Sequence, residues 1–189
     1  MKRLMLFLSV FLFTSVITNS TTNNEKPKGD TKMILVVYYS RTGNTKRVAE
    51  DIANLLGADI ERIIDKKNRN GFWGFLIAGK DALSKKITQI EKTEKNPANY
   101  DIVIIGTPIW AGSITPAVRT YLLQNKNSLK RIAVFTTAFR DGPEKIVNQI
   151  EEIAEKKVIN FTGFIEKELK PESKDIYNKK ILDFVSSLK

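Results

Sequence analysis

Ser40, Arg41, Thr42, Gly43, Asn44 and Thr45 place three hydroxyls, an amide and a glycine in six consecutive positions. They follow an apolar run, Ile34 to Tyr39, that reads as a buried strand, and they precede an amphipathic stretch beginning near Lys46. That order suits the binding of a phosphate. The hydroxyls of Ser40, Thr42 and Thr45, with Asn44 and the free N–H groups of a first helical turn, could converge on one anion whose charge the helix dipole favours. Gly43 would let the backbone turn tightly and come close to the ligand. An ordinary turn in which Thr42 or Asn44 caps the helix accounts for the same residues. Two other phosphate loops are set aside by spacing, since the chain contains neither G-x-x-x-x-G-K-[ST] nor G-x-G-x-x-G.

Other chemistries lack their residues. There is no Cys and no His, so the commonest nucleophile, general base and metal ligands are missing together. No Ser lies in a G-x-S-x-G elbow. Redox chemistry in this chain therefore has to come from a bound cofactor.

The elements that would position the candidate loop alternate between strand and helix. After the strand Ile34 to Tyr39, a helix is expected from about Thr45 to Leu56, with Val48, Ile52, Leu55 and Leu56 on one face and Gly57 as its stop. A short strand follows at Asp59 to Ile64. Ile102 to Ile105 is apolar at consecutive positions, as in a strand covered on both faces. Thr115 and Pro116 occupy the cap and first turn of the next helix, with Val118 and Leu122 inward. Arg131 to Thr136 reads as a strand, Pro143 to Lys156 as a helix burying Ile146, Ile150 and Ile153, and Val158 to Glu166 as a further strand. Ser173 is placed to cap a last helix carrying Ile181, Val185 and Leu188. The stretch Asp65 to Tyr100 lacks clean periodicity. It contains an apolar cluster, Gly71 to Ile77, flanked by Lys66, Lys67, Arg69 and Lys80, and Asp81 to Glu91 is expected to be helical with Lys85 and Lys86 solvated. Alternation of this kind gives right-handed crossovers and a parallel sheet with helices on both faces, an α/β fold in three layers.

Length and composition agree: 189 residues at 42% hydrophobic and 28% charged content suffice for one packed domain rather than a disordered chain. The N-terminal residues read as a separate unit. Lys2 and Arg3 precede an apolar run from Leu4 to Ile17 and then small polar residues, the order of a secretory signal peptide over residues 1–20. Residues 21–32 read as a linker and 33–189 as the domain. The expectation is an exported protein; a translation start at Met33 is the cytoplasmic alternative.

Three segments resemble the flavodoxin family. Ile34 to Thr45 resembles its opening strand and phosphate loop. Asp101 to Gly112, followed by Thr115 and Pro116, resembles the strand and second flavin loop, and Arg131 to Thr137 the strand entering the third. The resemblance spans about Met33 to Lys189. It implies a doubly wound, five-stranded parallel sheet of order 2-1-3-4-5, with FMN as cofactor at the switch point between strands one and three, a location that comes with the family. It also implies that Ser40, Arg41, Thr42, Gly43, Asn44 and Thr45 hold the phosphate. Thr107, Pro108, Ile109, Trp110, Ala111 and Gly112 would meet the ring, with Trp110 stacked on it, Pro108 stiffening the turn and Gly112 letting main-chain groups approach; packing is the alternative role for Trp110. From the third loop, Thr136, Thr137, Ala138 and Phe139 would meet the pyrimidine end and the other face of the ring, unless Phe139 folds under its own loop. Arg140 near the ring would favour the anionic reduced flavin; a solvated side chain is the other reading.

The implied function is electron transfer through FMN. Alternatives are an FMN-dependent quinone or porphyrinogen-type oxidoreductase and a flavin- or anion-binding module without turnover. Charge departs from the acidic electron-carrier pattern: 31 basic against 21 acidic residues give +10, and loss of Lys2 and Arg3 with the leader lowers this by only two. A basic exterior suits a redox partner with an acidic docking surface, or an anionic membrane surface. Nucleic acid is not expected, because the basic residues are dispersed and no nucleic-acid motif accompanies them.

Overall fold

β1, Ile34–Tyr38, is five residues of uninterrupted burial, and its side chains alternate between two cores. Ile34, Val36 and Tyr38 face one side; Leu35, Val37 and the following Tyr39 face the other. This arrangement, seen in a computed structural model of the chain that describes residues 32–67, 79–140 and 142–189, makes β1 an interior strand. It pairs in parallel with β2, Asp59–Arg62, on one edge and with β3, Ile102–Pro108, on the other. The sheet continues through β4, Ile132–Ala138, to β5, Val158–Ile165, and all four pairings are parallel. The order is β2-β1-β3-β4-β5, as expected.

Helices cover both faces. On the Val36 side lie α1, Asn44–Leu56, through Val48, Ala49, Ile52 and Ala53, and α4, Lys174–Ser186, through Tyr177, Ile181, Phe184 and Val185. On the Val37 side lie α2, Pro116–Asn125, through Ala117, Val118, Tyr121 and Leu122, and α3, Glu144–Ala154, through Ile146, Ile150 and Ala154. Thr115 caps α2 as anticipated, its Oγ1 accepting from the Val118 N–H at 3.5 Å ahead of Pro116 in the first turn. Gly57 ends α1 in a left-handed conformation, φ 60°, with its N–H directed to carbonyls of the last turn.

Several local expectations need correction. Leu55 is exposed, because four buried apolar positions of α1, Val48, Ala49, Ile52 and Ala53, already fill the space over the sheet. Ser173 precedes α4 without a side-chain cap bond. β3 and β4 run beyond Ile105 and Thr136, since Thr107, Pro108 and Thr137 stay in register with partner strands. Asp81 to Glu91 is not one helix: residues 79–83 are helical, Lys85 turns the chain at φ 52°, and the following stretch is extended. There the Lys66 N–H donates to the Gln89 carbonyl at 2.9 Å, the Glu91 N–H to the Ile64 carbonyl at 2.9 Å, and the Thr88 N–H to Thr120 Oγ1 at 3.1 Å. Those tertiary bonds outweigh the weak helical preference of an eleven-residue segment. Lys85 and Lys86 are solvated, Lys86 pairing with the buried Asp81 at 3.4 Å. The leader, most of the linker and the Gly71 to Ile77 cluster lie outside the described residues.

Candidate functional site

Parallel pairing brings the C-terminal ends of β1, β3 and β4 side by side, and the three singled-out loops leave the sheet from those ends. In the first loop Ser40 is buried and its Oγ accepts from the Gly43 N–H at 3.1 Å, closing a tight turn. Gly43 is the N-cap of α1 at φ 102°, a conformation open to glycine, and no side chain caps the helix. The alternative in which Thr42 or Asn44 serves as cap is thus not realised. The first main-chain bond of the helix runs from the Arg47 N–H to the Gly43 carbonyl at 2.9 Å, so the N–H groups of Asn44, Thr45 and Lys46 have no acceptor within the helix. A Cβ added at Gly43 would meet nothing within 4 Å, so the turn faces open space. Thr42, Gly43 and Asn44 are exposed and Arg41 is half-buried.

Buried hydroxyls tie this loop to its neighbours. Thr45 Oγ1 and Thr137 Oγ1 lie 2.8 Å apart, joining the start of α1 to the end of β4. The Tyr39 N–H donates to the Gly106 carbonyl at 3.1 Å, and the Ile109 N–H to the Thr137 carbonyl at 2.8 Å, so the second loop is held by β4 as it leaves β3. Thr107 Oγ1 donates to the Pro108 carbonyl at 3.0 Å.

Trp110 to Ser113 is a two-residue turn closed by reciprocal main-chain bonds of 3.0 Å. Ala111 at φ 47° and Gly112 at φ 71° make it the mirror-image turn that a short hairpin demands, glycine at one central position and a non-glycine residue held left-handed at the other. The Trp110 ring stands edge-on to Tyr39, with centroids 5.6 Å apart and planes at 85°. Trp110 is only half-buried. It packs against the edge of the core on the Val37 side and flanks the β1 exit through Tyr39, beside the first loop.

The third loop divides. Thr137 points to Thr45, whereas Thr136 faces the sheet's other neighbours: its Oγ1 lies 3.0 Å from where a Cβ at Gly163 would sit, and this buried hydroxyl has no hydrogen-bond partner. Ala138 is half-buried. Phe139 is 69% exposed with the Arg140 guanidinium 5.1 Å above its ring, so it does not fold under its own loop, and Arg140 rests on Phe139. A recess of about 170 Å³ between the second and third loops is lined by Ile109, Gly112, Gly142, Glu144, Lys145 and Ile146. A larger groove of about 680 Å³ lies elsewhere, between α1 and α4, and none of its lining residues belongs to the three loops. The uncapped helix turn and the converging loops lie at the strand ends, away from that groove.

Two residues behind the second loop carry no signal in the sequence. Gln149 on α3 bonds to Gly112, Ser113 and Ile114, and Arg119 on α2 is buried beside it. Burial draws the Arg119 guanidinium downward from its ordinary pKa, and Glu152 at longer range opposes that shift. A charged residue in the buried half of α2 could have been suspected only once Pro116 to Leu122 were known to be covered on every side.

Known proteins share this fold. The sequence model of the Flavodoxin family matches residues 33–170. A flavoprotein from Lactobacillus acidophilus NCFM, crystallised in complex with FMN, is 26% identical over 73% of this chain and 96% of its own, with a TM-score of 0.61. The NMR structure of the apo-form of the flavoprotein from that organism is 26% identical over 75% of this chain and 97% of its own, at 0.58. A protein from Bacteroides eggerthii DSM 20697 shares the fold at 21% identity and a TM-score of 0.61, over 82% of this chain and 98% of its own. A comparison with curated proteins finds no match. With its matched segment covering most of the sheet and its strand order β2-β1-β3-β4-β5, the chain belongs to the flavodoxin family.

Proposed function

We propose that this domain binds one FMN across the three loops and passes electrons between protein partners. The observation that carries the reading is the uncapped first turn of α1, opening beside Trp110 and the buried Thr45–Thr137 hydroxyl pair. A helix start whose free donors face water with no capping side chain is open to an anion, and a phosphate is the acceptor that matches both donors and dipole. The residues present fit the group. Asn44, Thr45 and Lys46 would offer N–H donors and Thr42 its hydroxyl, with Ser40 holding the turn and Gly43 allowing close approach. Trp110 would lie against the isoalloxazine ring, oriented by the turn through Ala111 and Gly112, while main-chain groups of the second loop and of Thr137, Ala138 and Phe139 would meet the ring edge. Bound FMN supplies the one- and two-electron chemistry that a chain without Cys or His lacks.

The chain's own contribution is to orient the ring, exclude water from one face and choose partners. Exposed Lys46, Arg140 and Lys145 surround the loops, so an electron donor or acceptor with an acidic face is favoured at encounter. The test begins with the absorbance spectrum of protein purified from an FMN-replete host, followed by release and identification of the flavin. A yellow protein that releases FMN, accepts electrons rapidly from a reduced protein donor and only slowly from NAD(P)H is expected. Bound FAD, or a colourless protein that takes up no FMN, would overturn the reading; rapid turnover with NAD(P)H and a quinone would replace the carrier by a reductase.

A further inference from the structure

Arg119 is a buried cation without an anionic partner. It is 7% exposed, and its Nη2 reaches only neutral acceptors, Ser113 Oγ at 3.3 Å and Gln149 Oε1 at 3.4 Å. Its Nε is buried with no hydrogen-bond partner. Glu152 is the carboxylate that acts on it, and does so without forming an ion pair among the described residues. Such a charge is expensive to retain, and a network built only to hold a loop could use a neutral side chain instead.

Gln149 supplies the geometry. Its Oε1 accepts from Ser113 Oγ at 2.7 Å and from the Ile114 N–H at 3.3 Å, while its Nε2 donates to the Gly112 carbonyl at 3.2 Å. A carbonyl can only accept and an N–H can only donate, so these partners fix which way the amide faces. One side chain thus grips three successive residues of the second loop. Ser113 is in turn bonded in both directions to the Trp110 main chain at 3.0 Å. The path from Arg119 through Gln149 and Ser113 to Trp110 is continuous, and Ala111 is held within it in a left-handed conformation.

We propose that Gln149 and Arg119 are positioning residues for bound FMN: Gln149 clamps the Trp110–Ser113 turn so that the indole is presented in one orientation, and Arg119 backs that clamp with a positive charge that raises the flavin's midpoint potential. This rests on the FMN reading above. The charge acts because reduction adds negative charge to the ligand, and a cation withdrawn from water is screened less than one on the surface.

The two roles separate by substitution. Gln149→Glu keeps both acceptor contacts, gives up the donation to the Gly112 carbonyl and places a carboxylate against the guanidinium, so the midpoint potential of bound FMN falls. Arg119→Met removes the charge at similar length and lowers the potential as well, and Arg119→Lys restores part of it. Gln149→Leu leaves the cation in place but removes all three hydrogen bonds to the turn: FMN dissociation constants rise about tenfold in both redox forms, and the potential stays near the wild-type value. In a Trp73→Phe background, where Trp110 is the remaining indole, Gln149→Leu also broadens the ligand-free fluorescence lifetimes. Identical potentials in wild type, Gln149→Glu and Arg119→Met would overturn the charge assignment. Unchanged FMN affinity and unchanged Trp110 lifetimes in Gln149→Leu would overturn the clamp. A wild-type protein that takes up no FMN is a different result, the failure of the flavin reading itself, and the charge assignment goes with it.

Discussion

Thr42 and Thr45 sit three positions apart in one loop, yet their hydroxyls have different surroundings, and substitution distinguishes them. Thr45 is buried and shares a hydrogen bond with Thr137, so Thr45→Ala strands a second buried hydroxyl and costs about 1 to 3 kcal/mol of ligand-free stability. Thr42 is exposed, and Thr42→Ala leaves the melting temperature of the ligand-free protein in place. Its expected effect is on the ligand: FMN binding weakens by about 1 to 3 kcal/mol, the value of a hydrogen bond to a charged group, while riboflavin, lacking the phosphate, binds as before. Paired FMN and riboflavin titrations check this, and equal losses for both ligands would make the loop structural only. Trp110 gives a second residue-level outcome. Because it is half-buried, packed against the core and edge-on to Tyr39, Trp110→Ala costs the ligand-free fold about 0.5 to 1.5 kcal/mol of aromatic contact on top of the area it uncovers, less than truncation of a fully buried aromatic. FMN affinity falls more steeply and Trp110→Phe recovers part of it. A large loss of apo stability with unchanged FMN affinity would remove Trp110 from the site.

The Phe135 ring on β4 lies over its register partner Gly106 on β3, in the place of a side chain. A Cβ on Gly106 would lie 2.2 Å from Phe135 Cζ and 2.5 Å from Cε1, and Phe135 is fully buried and cannot withdraw. Gly106→Ala is therefore expected to destabilise by about 1 to 3 kcal/mol or more, an overpacking effect, and Phe135→Leu in the same chain should return part of the loss. Denaturant unfolding of the two variants and their combination measures the coupling; strict additivity would show that the contact does not limit the strands. This pair also marks how far the sequence is legible. β1 and the start of β3 are readable because both faces are apolar without interruption, and α2 because Thr115-Pro116 is a helix start in its own right. The ends of β3 and β4 are not, since Gly106 and Pro108 have poor strand propensity and Ala138 little better, and they are kept in the sheet by their partner strands. The segment 84–91 fails for a related reason, its conformation being set by bonds to Ile64, Lys66 and Thr120 from elsewhere in the chain. At the site, the three loops are visible one by one, whereas the Gln149 and Arg119 contacts depend on how α3 and α2 lie against the second loop, which no local pattern encodes.

Across the whole molecule, phenols from both cores resist ionisation, which sets its behaviour in alkali. Burial raises the pKa of Tyr38, Tyr121 and Tyr177, and burial followed by the hydrogen bond to Asp59 pushes Tyr100 up to about 12. Each folded value lies above the ordinary value of 10.0, so as pH rises the unfolded chain loses protons first. The stabilisation is complete below pH 10 and, for Tyr100, is lost between there and about pH 12. Tyrosinate absorbance is expected to rise together with loss of the circular dichroism signal; phenols titrating near pH 10 in a still-folded protein would contradict the burial. The formal charge of +10 leads to a second molecular outcome: electron exchange with an acidic redox partner should slow steeply as ionic strength rises, and exchange indifferent to salt would point to an uncharged docking face. The interior position of β1 has its own consequence for how the domain comes into being. Its second edge is completed by partners such as Ile34 and Ile102, far apart along the chain, and the Met33 N–H reaches the Asp101 carboxylate across 68 positions. β1, made before the other strands of this sheet, thus waits with an open edge until β3 has been made, and closing so distant a contact is slow. Folding time, rather than final stability, is then what exposes Leu35, Val36 and Val37 to neighbouring chains, and the interval before β3 arrives is when a chaperone would have most to do.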